Sequence, residues 1–219
     1  MRNIITGLFL AILMIPASTT ITAGSIDGGV SYGSDYIFRG VSQSGNPAAS
    51  GWLNLSTDNG FYVGVWGSQV DFSSTGDLDA SREVDYYGGY ALQISDNVSL
   101  DSGYVRYRLN SAHIRDVEEV YSILTYKNLT VAGYQDLDTH DNYVETQYAF
   151  DWLFDHAFEA SIIHGIFGDN DSFTMLKLGK SFGSSDQFDF TVLVGQDVFE
   201  GQAADSLTAS ITYNFERNI

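Results

Sequence analysis

The residues of this 219-residue chain that could do chemistry are a serine–histidine pair, an acidic loop and a set of scattered charges. Ser161 and His164 are the types of a nucleophile and its base, but three residues apart on a strand places them on opposite faces, so they cannot act on each other. The four His are dispersed without metal-ligand spacing. Asp136, Asp138, His140 and Asp141 offer oxygen ligands of the kind Ca²⁺ takes, yet not at EF-hand spacing, and read as a solvated acidic loop. Asp169 and Asp171 read the same way. Enzyme activity, a metal site and a cofactor are therefore not expected. What remains is Asp35, Arg39, Glu83, Asp85, Asp101, Glu119, Glu145, Glu159, Lys177 and Asp189, which share one feature. Each lies on the strand parity opposite the bulky apolar residues around it. The chemistry open to such a set is electrostatic: carboxylates facing a confined lumen concentrate cations. The plainer alternative is that they solvate an inner wall and lock it through hydrogen bonds.

The elements that position these charges are strands. In Asp205–Phe215, Leu207, Ala209, Ile211, Tyr213 and Phe215 alternate without error with Thr208, Ser210, Thr212 and Asn214. That is a period of two, with one apolar face and one of small polar groups. Similar segments run over about Gly28–Arg39, Gly51–Thr57, Phe61–Val70, Arg82–Ile94, Val98–Arg108 and Val117–Tyr126. They continue over Leu129–Gln135, Tyr143–Trp152, His156–Phe167, Ser172–Phe182 and Phe188–Val198. Alternation is poorest in Val98–Arg108, where it does not fix the facing. Short turns such as Asp58-Asn59-Gly60, Ser95-Asp96-Asn97 and Lys127-Asn128 mostly alternate with longer polar loops. The fold expected is all-β: an up-and-down antiparallel transmembrane β-barrel of about twelve strands, with both termini on one side. Twelve strands leave roughly 16 residues for each strand and its connection, of which a spanning strand takes about 9–11.

Composition fits. The chain has no Cys, two Pro, 22 Gly and 14% aromatics, which favours strands and tight turns over helices and excludes disulfides and thiolate metal sites. A formal charge of −18 argues against nucleic acid as partner. Met1-Arg2-Asn3 followed by the apolar run Ile4–Ile15 has the form of a secretory signal peptide, too short to span as a helix. Cleavage after Ala23 gives residues 1–23 as signal peptide and 24–219 as barrel domain; cleavage after Ala17 is the alternative. Periodicity alone does not separate a soluble barrel with its apolar face inside from a membrane barrel with that face in lipid. Secretion, small residues on the polar face and aromatics near strand ends favour the membrane.

Two segments carry a family resemblance. Ser34-Asp35-Tyr36-Ile37-Phe38-Arg39-Gly40-Val41-Ser42-Gln43-Ser44 resembles the opening block of the TorF-like porin family, a proteobacterial outer-membrane family of unknown function. Gly60-Phe61-Tyr62-Val63-Gly64-Val65-Trp66-Gly67-Ser68 resembles its second block. The resemblance implies a barrel in the bacterial outer membrane, with lipid around it and small polar solutes or ions as partners. It carries over no catalytic or ligand residue, and no oligomeric state follows. The last strand resembles an outer-membrane assembly signal but continues past Phe215 with Glu216-Arg217-Asn218-Ile219.

Two roles are open at this point. One is passive diffusion of small polar solutes or ions with weak cation preference. The other is a plugged structural or interaction barrel. Arg39, with Asp35 four residues earlier on the same face, is expected to form an ion pair with it that holds the first loop to the wall.

Overall fold

The computed structural model describes residues 24–72, 79–150, 158–168, 171–183, 186–199 and 202–218. The strands in chain order are β1 Ser25–Gly33, β2 Ile37–Phe38, β3 Val41–Ser42, β4 Ala48–Ser56, β5 Phe61–Gln69, β6 Arg82–Ser95 and β7 Val98–Leu109. They continue with β8 Val117–Tyr126, β9 Leu129–Asp136, β10 Asn142–Ala149, β11 Glu159–Phe167, β12 Ser172–Gly183, β13 Asp186–Phe199 and β14 Gln202–Asn218. All but β2 and β3 form one closed antiparallel barrel in which β1 pairs with both β14 and β4. The barrel thus has the expected twelve strands. Ser25 lies opposite Asn218, so β1 begins and β14 ends at one rim, which carries most of the short turns, and the longest loops gather at the other. The expected signal peptide, Asp169 and residues 151–157, where the expected strands Tyr143–Trp152 and His156–Phe167 meet, fall outside the described residues.

The faces sort as the alternation requires. Val30, Leu55, Val63, Tyr86, Leu176 and Ile211 point outward and are exposed, and Leu207 is 70% exposed. Its neighbour Thr208 points inward and is buried. β14 runs on to Asn218, so Glu216, Arg217 and Asn218 stay paired in the ladder. β13 and β14 also reach to Phe199 and Gln202, beyond the expected ends at Val198 and Asp205.

Glycines let inward rings lie flat against the wall. A Cβ on Gly64 would stand 2.4 Å from the Tyr87 ring carbons, one strand away in the ladder.

Two strand assignments change. The segment expected as one strand over Gly28–Arg39 stops at Gly33, and residues 34–47 leave the wall. Within them β2 and β3 form a two-residue hairpin, Phe38 opposite Val41, with Arg39 at φ 43° and Gly40 at φ 83°. Positive φ at both central positions is the requirement of a tight hairpin turn. Gly40 meets it freely; Arg39 adopts a conformation that side chains generally disfavour. In β7 the facing is now fixed: Val105, Tyr107 and Leu109 point inward and are buried, while Arg106 and Arg108 are exposed. Alternation fails there because the inward residues are themselves apolar, packed on the hairpin.

Candidate functional site in the barrel lumen

The first loop folds inward and its hairpin crosses the lumen. A Cβ on Gly40 would stand 2.5 Å from the Phe173 Cβ of β12, three places around the barrel from β1 on the side away from β4. Phe38 is 0% exposed and sits edge-on to Tyr107, with ring centroids 6.2 Å apart. Tyr36 packs against Trp66 of β5 at 5.1 Å. Inward-facing Val105, Ile163, Phe173 and Met175 are buried with Phe38 in one cluster. The half of the lumen nearest the loop rim is therefore packed like a protein core.

Arg39 occupies the centre of this core at 5% exposure. It donates two parallel hydrogen bonds to Glu119 of β8, Nη1 to Oε1 at 3.0 Å and Nη2 to Oε2 at 2.8 Å. Its guanidinium lies 3.9 Å from the Tyr143 ring centroid and 4.9 Å from that of Tyr134. Tyr107 donates its hydroxyl to Glu119 Oε2 at 3.1 Å. Burial alone would lower the Arg39 pKa; Glu119 more than offsets it and holds the guanidinium above its ordinary value. The fork geometry is one that arginine supplies and lysine does not.

The expected Asp35–Arg39 pair does not form, because the hairpin carries Arg39 into the lumen while Asp35 stays at its base. There Asp35 Oδ1 accepts from Ser44 Oγ at 2.7 Å and from the Gly45 N–H at 3.0 Å. Nor are Tyr36 and Phe38 lipid-facing like Val30 and Tyr32, whose parity they continue. The whole Ser34–Ser44 block now has a physical reading. Ser34 ties the loop to Ala209, Asp35 and Ser44 close its base, Arg39-Gly40 make the turn, and Phe38, Arg39 and Gln43 fill the lumen.

The other charged residues fall in two zones. Glu83, Asp85 and Glu119 are buried near the loop rim, in the packed half. Asp101, Glu145, Lys177 and Asp189 are half-buried, and Glu159 is exposed. Most of this second set is tied into a polar wall. Asp101 accepts from Tyr62 at 2.6 Å, and Tyr62 also hydrogen-bonds Tyr121. Asp189 accepts from Asn214 at 2.5 Å and from Gln187 at 2.8 Å. Glu145 accepts from Tyr143 at 2.5 Å and Glu159 from Ser181 at 3.0 Å. Sequence reasoning missed Tyr36, Phe38, Gln43 and Tyr107 as lumen residues.

Arg115 clamps the acidic loop, bonding Asp136 at 2.9 Å and Asp138 at 2.8 Å. His164 points away from the lumen, 2.9 Å from Thr174 Oγ1, whereas Ser161 is buried inside and accepts from Gln147. Among the described residues no three His, Cys, Asp or Glu side chains converge as a metal site.

An apolar belt outside, carboxylates inside and closure without edges define an outer-membrane β-barrel of porin-like fold. The chain belongs to the family described as "Bacterial protein of unknown function (Gcw_chp)", which matches residues 17–209. No curated protein matches it. Among solved structures it is similar to the KdgM porin, with 11% identity, 87% of this chain and 98% of that chain covered, and a TM-score of 0.59. The KdgM porin in complex with disordered oligogalacturonate gives the same identity, coverage and TM-score. The COG4313 outer membrane channel from Pseudomonas putida F1 is 14% identical over 90% of this chain and 96% of that chain, with a TM-score of 0.49. At these identities the likeness is one of fold.

Proposed function

We propose that this barrel is a TorF-like porin: a passive pathway for small polar solutes or ions with weak cation preference, constricted by its own first loop. The observation that carries this reading is the division of the lumen. The half nearest the short turns is a wall of half-buried and exposed polar side chains in which Asp101, Glu145, Glu159 and Asp189 outnumber Lys177. Such a wall replaces part of a solute's hydration shell and favours cations. The half nearest the loops is occupied by a hairpin that belongs to no barrel ladder, so the hairpin can shift while the wall stays intact. That KdgM has been solved with an oligogalacturonate shows what that porin binds; here the acidic wall favours neutral or cationic solutes instead. A second reading, a permanently closed structural barrel, draws on the packing of Phe38 and Arg39.

Planar-bilayer recordings separate the two. The wild-type chain is compared with a variant in which a short Gly-Ser linker replaces residues 36–43. Conductance steps that grow when the hairpin is removed, with a reversal potential on the cation side in a KCl gradient, support the pathway. A hairpin-less barrel that folds, shifts mobility on heating and stays silent establishes the structural reading.

A further inference from the structure

Glu83 and Asp85 are two residues apart on β6, so both face the interior, where they are 1% and 3% exposed. Glu83 has no basic partner and only the neutral Tyr36 hydroxyl beside it, and Asp85 Oδ1 has no hydrogen-bond partner. The buried Arg39 is committed to Glu119, and the charges bearing on Asp85 are Glu83 and Glu119, themselves negative. Opposite them the hairpin presents two more unsatisfied oxygens, the Tyr36 hydroxyl and Gln43 Oε1. The Gln43 N–H donates to the Tyr36 carbonyl at 2.7 Å, so these residues face each other across the hairpin and share one side of it. Tyr36 packs against Trp66, which lies directly opposite Asp85 in the β5–β6 ladder, and its hydroxyl lies beside the Glu83 carboxylate. Five buried oxygen atoms without a basic partner, contributed by two carboxylates, a phenol and an amide, are thus carried by β6 and by the side of the hairpin that holds Tyr36 and Gln43.

We propose that Glu83, Asp85, Tyr36 and Gln43 form a binding site for a hard divalent cation of the Ca²⁺ class, which fastens the hairpin to β6. Two buried carboxylates without a basic partner would carry a charge of −2 once ionised, which a divalent ion neutralises. The donors are all oxygen, with no sulfur or imidazole, which suits Ca²⁺ and disfavours soft transition metals. The site is completed by an amide and a phenol from the loop, which explains why no cluster of three acidic or imidazole side chains marks it. The proposal rests on the docked hairpin and not on conduction, so a silent barrel leaves it standing.

The test uses the full chain refolded in detergent micelles, stripped with chelator and titrated with CaCl₂. Equilibrium dialysis with radioactive Ca²⁺ measures binding, and hydrogen exchange measures protection of residues 36–44. The Glu83→Gln/Asp85→Asn variant is compared with an Asp138→Asn/Asp141→Asn control in the exposed acidic loop. Expected are one saturable site per chain, weakened about tenfold or more in the first variant and kept in the control, and Ca²⁺-dependent slowing of hairpin exchange lost in the first variant alone. The single variant Glu83→Gln, checked by its heat-dependent mobility, serves if the double variant fails to fold. Binding unchanged in these variants, or no saturable site in the wild type, overturns the proposal. So does a calcium-free Glu83→Gln/Asp85→Asn hairpin as protected as the calcium-free wild type, with Ca²⁺ slowing neither: the pair would then be held by protons.

Discussion

Replacing Arg39 with methionine keeps most of the side-chain volume and removes the charge, so it isolates what the buried ion pair does. Glu119 would be left in the lumen at 7% side-chain exposure with one remaining bond, from Tyr107. Removing one partner of a buried pair costs about 3–5 kcal/mol, and the lost contacts with Tyr134 and Tyr143 add about 0.5–2 kcal/mol. The barrel ladders do not include β2 or β3, so the cost falls on docking of the hairpin and not on the wall. Taking only the ion-pair part, the undocked population rises by a factor of roughly 150 to 5,000. The assay is hydrogen exchange at the Gln43 amide, bonded to Tyr36 O, and at the Asp71 amide, bonded to Gln43 O. Both should exchange faster by a similar factor wherever hairpin opening limits exchange, while amides of the β13–β14 ladder do not change. The Arg39→Met/Glu119→Gln double variant should recover most of the protection, because no charge is then left buried without a partner. Unchanged exchange in Arg39→Met would refute the assigned role of the pair. A double variant as exposed as the single one would show that the loss is one of packing.

Three further outcomes follow from the geometry. Ile211→Arg places a charge on the outward face, at a position paired with Phe190 and Tyr32; it should destabilise the folded barrel in lipid by about 2–4 kcal/mol in urea titrations. Gly64→Val forces a Cβ into the Tyr87 ring and the Asn54 side chain and should cost about 1–3 kcal/mol, read as an earlier loss of heat-resistant mobility. Asp136→Ala removes bonds from the Asp138 and Thr139 amides and from Arg115; limited proteolysis of residues 137–141 should accelerate while the barrel melts as before, the loss being about 1–3 kcal/mol and local to that loop.

The strand number and closure were legible because side chains in a strand alternate strictly, and Leu207 to Phe215 keep that alternation without a break. Alternation alone did not say which face meets lipid, since period two is the same for a core and for a membrane; the signal segment, the small residues on the polar face and the aromatics near strand ends favoured the membrane. It took the exposure of Val30, Leu207 and Ile211 to decide it. The hairpin escaped notice for a specific reason: Tyr36 and Phe38 fall on the same parity as Val30 and Tyr32, so the first strand seems to continue where the chain turns inward. A signal was present nonetheless. Val105, Tyr107, Ile163, Phe173 and Met175 are apolar on the parity that elsewhere carries carboxylates and hydroxyls. Apolar residues clustered on the polar face mean that something apolar enters the lumen. The Arg39–Glu119 pair spans 80 residues and four barrel neighbours of β4, and no local spacing encodes that contact.

The two halves of the lumen make opposite demands on the same kind of residue. Toward the short turns a carboxylate such as Asp189 stays half-accessible and bonded by neutral donors, so its charge remains available to a passing ion. Toward the loops the same group is desolvated, and each buried charge needs a counter-charge of its own. One such counter-charge is Arg39, brought by the hairpin to Glu119. Glu83 and Asp85 receive none from the protein. The hairpin is consequently held by electrostatics at its tip and by packing at Phe38, on a segment free of the ladders that hold the wall. A loop attached in this way can leave without unfolding the barrel. The ionic part of its hold responds to the cations outside, whereas the packing part does not, and the ratio between the two decides whether the lumen ever opens.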